Sequence, residues 1–176
     1  MSNVYDYLLK NKKETGREKG QVMKFDYLCD DLPDGLVIMD EAYFGELNEE
    51  ILYSFEIMLD HEGRSELIYD FSGEDWRTVW ERETALIKEF CSEGKLFVYL
   101  CDKDIEGCEI EFVNNCGGES ILVPSGKFVV VNAGELIQCL MYPDLEMEKL
   151  LEFDVETGRY NIECDGLEHI KLSKIG

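Results

Sequence analysis

Histidine occurs twice and proline three times in 176 residues, and lysine and arginine supply 17 charges against 39 from aspartate and glutamate. The shortage of base excludes a class of function. Nucleic-acid binding needs Lys and Arg to neutralise phosphates and release counterions. A chain of net charge −22 repels nucleic acid, and it repels anionic lipid for the same reason. The shortage of histidine leaves few general bases that titrate near neutral pH. His61 sits in "DHEGR" between Asp60 and Glu62, and His169 stands beside Glu168; both read as solvated turn residues. No apolar run approaches the ~20 residues that span a bilayer. The start, "MSNVYDYLLKNKKETGREKGQ", holds neither a signal-length apolar stretch nor a small-residue cleavage site. The expectation is a cytoplasmic, bacterial chain.

Catalytic motifs are missing as well. There is no G-x-S-x-G elbow, no G-x-G-x-x-G and no C-x-x-C, and "PSGK" at 124–127 lacks the rest of a phosphate loop. Paired carboxylates could perform hydrolysis, but 39 acidic residues make any chosen pair arbitrary. The seven cysteines are Cys29, Cys91, Cys101, Cys108, Cys116, Cys139 and Cys164. An odd count without a secretion signal reads as reduced thiols, mostly buried and unpaired. The stretch "CDKDIEGCEIE" at 101–111 comes nearest to a metal motif. Asp102, Asp104, Glu106 and Gly107 fit the first half of a calcium loop, but Val113 stands where the bidentate Glu belongs. Cys101, Cys108 and Cys116 lack the close spacing of a zinc knuckle. The stretch therefore reads as a wet acidic turn in a hairpin, with Cys101 ending one strand and Cys108 starting the next. No cofactor and no metal is expected.

What is present suffices for a core: hydrophobic residues make up 45% of the chain and aromatics 11%. The length suits one domain. "NVYDYLLK" could form a helical turn and "NKKETGREKGQ" a linker, so residues 1–21 read as a mobile or helical arm and 22–176 as a single domain. "GLVIMD" reads as a buried strand. Tyr53, Phe55, Ile57 and Leu59, then Leu67 and Tyr69, alternate around "DHEGR" and suggest a hairpin, with a helix across "ELNEEILYSFEIML" as the competitor. "GEDWRTVWERETALIKEFCSEG" reads as one long helix near 73–92, apart from a gap in its apolar period at Glu83. Ser72 would cap it, Glu74 and Asp75 would favour its first turn, and Gly94 would stop it. "KLFVYLC", "CEIEFVN", "ESILV", "KFVVVN" and "HIKL" read as strands, Leu136, Ile137, Leu140 and Met141 as a short helical turn, and "LEFDV" with "RYNIEC" as a hairpin. The class is α+β, mainly antiparallel sheet or two packed sheets, with one long central helix.

Charge is unevenly placed. Residues 1–20 carry about +2, so the remainder carries about −24. A body so acidic attracts a basic protein and speeds its encounter. In "DEAYFGEL", Tyr43 and Phe44 lie among Asp40, Glu41 and Glu46, a pair of aromatic anchors within carboxylates. Core packing at a strand end accounts for the same two rings equally well.

"VPSGKFVVVNAGELIQC" and "ETGRYNIECDG" resemble small uncharacterised bacterial proteins of the polymorphic-toxin immunity type. The resemblance covers the last third of the chain and carries over no functional residue. It implies an acidic, β-rich inhibitor of a toxin domain. The expected function is thus a non-enzymatic acidic binder of a basic partner, such as a toxin or nuclease domain. The alternatives are a hydrolase with a site assembled from scattered carboxylates, and a self-assembling homo-oligomer.

Overall fold

The computed structural model describes residues 20–29, 34–59 and 75–175. In chain order these form β1 (Val22–Tyr27), β2 (Gly35–Asp40), a 3-10 helix (Glu41–Glu46), α1 (Glu49–Leu59), α2 (Trp76–Glu83), α3 (Ala85–Ser92), β3 (Phe97–Leu100), β4 (Ile105–Phe112), β5 (Glu119–Val123), β6 (Lys127–Asn132), α4 (Ala133–Met141), β7 (Leu151–Asp154), β8 (Gly158–Cys164) and β9 (Ile170–Lys174). One sheet runs β1-β4-β9-β8-β5 and the other β3-β2-β6-β7. Every pairing is antiparallel except β4 with β9. The α+β class holds, with mainly antiparallel sheets.

Three layers follow from the pattern of apolar residues. Cys108, Ile110 and Phe112 of β4 turn inward, while Glu109 and Glu111 turn out. Tyr160 and Ile162 of β8, Ile170 and Leu172 of β9, and Leu36, Ile38, Phe128, Val130 and Phe153 of the other sheet complete a core between the sheets. Rings of Phe112, Phe128, Phe153 and Tyr160 meet there mostly edge to face, with centroids from 5.3 to 6.5 Å apart. A second core forms where Val37, Met39, Val129 and Val131 meet α1, α3 and α4. Strand β2 therefore has both faces covered and all six of its residues buried, which explains the unbroken "GLVIMD".

The layering corrects two expected hairpins. The acidic stretch after Cys101 does not join paired strands, because β3 lies in the four-stranded sheet and β4 in the five-stranded one. The same holds for β7 and β8. Their inward faces match the alternation, but they line opposite walls of one core, and the links 101–104 and 155–157 are arches. The turn at 124–126 likewise carries the chain from β5 in one sheet to β6 in the other. A third correction concerns 53–59, which lies in helix α1 rather than a strand; residues 60–74, with the rest of that expected hairpin, Ser72 and His61, lie outside the described residues. The arm at 1–19 does too.

The long central helix is two helices, α2 and α3, meeting at the buried Thr84. Ser54 of α1 causes the break. Its hydroxyl donates to the carbonyl of Glu83 at 2.6 Å and accepts from the amide of Ile87 at 3.2 Å. Those two backbone groups would otherwise bond each other as i and i+4. The gap in period at Glu83 marks the place.

Candidate functional site

The site is built from "DEAYFGEL" and the end of α3. Asp40 is extended and ends β2, so its side chain turns back over the first turn of the 3-10 helix. Its carboxylate is fully buried. One oxygen accepts from the Ala42 amide at 2.8 Å and from the Ser125 hydroxyl; the other accepts from the amides of Ser125 and Gly126 at 2.9 and 3.2 Å. Asp40 thus ties the 3-10 helix to the arch between β5 and β6, and presents no charge to solvent. Tyr43 and Phe44 are half-buried against the helical core, and the Tyr43 ring meets that of Phe90 edge-on at 6.4 Å. Both rings therefore pack, as the plainer reading of "DEAYFGEL" has it, although Tyr43 keeps part of its surface in the site. Glu41 is half-exposed and Glu46 exposed.

Helix α3 ends in a Schellman turn. Gly94 adopts φ +79°, its amide bonds the Cys91 carbonyl at 3.0 Å, and the Lys95 amide bonds that of Phe90 at 3.3 Å. The turn brings Lys95 back beside Phe90. Its ammonium reaches Glu46 at 2.8 Å and Glu93 at 2.9 Å. It also stands 5.8 Å from the centre of the Tyr43 ring and 5.6 Å from that of Phe90, within cation–π range. Hydrogen bonds that Lys95 donates to the Glu46 and Glu93 carboxylates push its pKa up. Burial, then the Glu46 charge, pushes Tyr43 up. Around this group lies a shallow open depression of about 190 Å³, lined also by Ile51, Leu86 and Glu89. Leu86 is 42% exposed. Between residues 41 and 59 stand five carboxylates and no basic side chain. Chemically, this surface holds a cation between carboxylates and over rings.

Of the residues expected from the sequence, Glu46 lines the depression, Tyr43 meets Lys95 and Phe90 beside it, Phe44 and Glu41 lie on the same short helix, and Asp40 faces inward. Lys95, Glu93, Glu89, Leu86 and Ile51 escaped the sequence reading. The spacing Leu86, Glu89, Phe90, Glu93 puts them along one face of α3, but the apolar members read as core alone.

The other candidates fall elsewhere. Asp104 accepts from the Cys29 amide at 2.8 Å and Asp26 from that of Gly107 at 2.9 Å, so the acidic arch is pinned to β1 and its end. His169 pairs with Glu111 at 2.6 Å on the outer face of the five-stranded sheet. Among the described residues no three His, Cys, Asp or Glu side chains gather as metal ligands, and no helix is long and apolar enough to cross a membrane. No disulfide joins any of the seven cysteines; Cys108 and Cys139 are buried and the other five half-buried. Burial pushes Cys29, Cys139 and Cys164 up to about 11 and Cys91 to about 12.

No family model and no curated protein matches the chain. A solved chain described as crocagin biosynthetic gene J superposes with a TM-score of 0.45 at 12% sequence identity, over 90% of this chain and all of that one. A likeness so distant carries no functional argument.

Proposed function

We propose that this protein is a non-catalytic acidic binding protein whose helical face takes a basic protein partner. The observation that carries the reading is the Glu46–Lys95–Glu93 cluster on the rings of Tyr43 and Phe90. The surface already holds one ammonium in the manner by which it would hold a partner's Lys or Arg: carboxylates for the charge, rings and the Leu86 side chain for the stem. An inhibitor or immunity protein of a basic toxin or nuclease domain is the form the role would take. Open, shallow shape supports a macromolecular ligand over a small one, which favours enclosed clefts. The test is capture of the partner from the source cell followed by cross-linking. The reading expects a basic partner cross-linked to the segments 41–56 and 86–95. Cross-links confined to the outer face of the five-stranded sheet, or an acidic partner, would overturn it.

A further inference from the structure

Four strands bound the two sheets, and three of them carry charge: Lys24 and Asp26 on β1, Glu119 on β5, Glu152 and Asp154 on β7. Charge on an edge strand deters pairing with another chain. Strand β3, "FVYL", carries none, and among the described residues it pairs with β2 alone. Its register fixes which backbone groups are left over. Cys101 donates its amide to the Asp34 carbonyl at 3.0 Å, continuing the β2 ladder by one residue. Amides alternate in direction along an antiparallel strand. Phe97 and Tyr99 therefore bond toward β2, while Val98 and Leu100 turn their N–H and C=O groups away from it. Leu100 is 39% exposed, and Val98 and Tyr99 are half-buried.

Carboxylates bracket this edge. Glu93 precedes the strand; Asp102 and Asp104 follow it, with Lys103 between them. Burial raises the Tyr99 pKa, and among the smaller contributions the charges of Asp165 and Glu168 act on its hydroxyl in the same direction.

We infer that the edge of β3, unpaired among the described residues, is a strand-addition site for an extended segment of a basic partner, apolar at its centre and lysine- or arginine-rich at its ends. The inference rests on the reading of the protein as a binder of basic partners, and it names how that partner is gripped. The peptide groups of Val98 and Leu100 supply the hydrogen bonds, and Leu100 meets alternate apolar side chains of the incoming strand. The basic ends reach Glu93 on one side and Asp102 and Asp104 on the other.

The probe is a short capped peptide of alternating valine and threonine with a pair of lysines at each end. Amide hydrogen exchange is followed in the full chain. With peptide at about ten times its Kd, exchange at Val98 and Leu100 slows roughly tenfold, while Phe97 and Tyr99 change less. Leu100→Pro removes an outward N–H and no bond to β2, and weakens binding several-fold, up to roughly tenfold. A peptide N-methylated along its bonding edge loses binding to the parent chain, which keeps the test open if the proline variant folds poorly. Peptide binding that leaves the Val98 and Leu100 amides unchanged overturns the inference and leaves the broader reading standing. Absence of binding also overturns it, and the cross-linking experiment then decides the broader reading separately.

Discussion

At the scale of single residues, Asp40 shows how a carboxylate in an acidic segment can serve the fold rather than a partner. Its four hydrogen bonds bind two distant turns, and removing it would strand three buried or half-buried amides. Asp40→Ala should cost about 3 kcal/mol, read from urea denaturation; a loss below about 1 kcal/mol would show that water replaces the carboxylate freely. The sequence offered no sign of this, because Asp40, Glu41 and Glu46 differ only in where the chain turns. The cysteines were more legible. Alternation placed Cys108 inward, and burial pushes thiols upward because it penalises the thiolate, the reactive form. With Cys29, Cys139 and Cys164 at about 11 against the usual 9.0, their thiolate fraction at neutral pH falls about 100-fold. Disulfide-exchange titration should therefore be slow at these positions in the native protein and should reach all seven thiols in denaturant. Fast native labelling of Cys164 would contradict that.

At the scale of elements, the apolar periods gave faces and missed partners. Inward residues of β4, β7 and β8 were readable from alternation, yet a short link between two alternating runs fits a hairpin and an arch equally well. Only the second sheet, distant in sequence, decides between them. The break in the central helix is similar: Glu83 signals it, but its cause, Ser54, sits 29 residues earlier. Ser54→Ala should destabilise by about 2 kcal/mol, since a buried amide and carbonyl lose their bridge. Calorimetry would check it, and an unchanged melting temperature would mean that Ile87 and Glu83 close their own bond. The edge strand β7 supplies a pH test. Hydrogen bonds from Lys127 and Lys149 hold the Glu152 carboxyl below the usual 4.5. The pairing therefore stabilises the fold above that value and is lost as pH falls through the lowered one. In thermal melts, Glu152→Gln should trail the parent at pH 7 and converge with it only once pH has fallen below the lowered carboxyl pKa. A gap that stays constant or widens on acidification would refute the pairing.

At the scale of the molecule, net charge was legible and its distribution was not. On the outer face of the five-stranded sheet, Lys24 pairs with Glu109 and Lys171 with Glu163, so part of the charge is compensated. On the helical layer, the segment 41–59 holds five carboxylates and no basic side chain of its own; among the described residues Lys95, brought in from the far end of α3, pairs with Glu46, and Lys127 acts on Glu41. Such asymmetry gives a partner one preferred side of approach. Long-range attraction of this kind is screened over ~8 Å at physiological ionic strength, so it acts on association more than on dissociation. The most direct measurement is the association rate of the captured partner as a function of salt, for the parent and for the Glu46→Gln/Glu93→Gln double variant. The rate of the parent should fall steeply as salt rises, and the variant should start slower and depend on salt less. An association rate indifferent to salt, or identical in the two proteins, would contradict the assignment of this face as the binding surface.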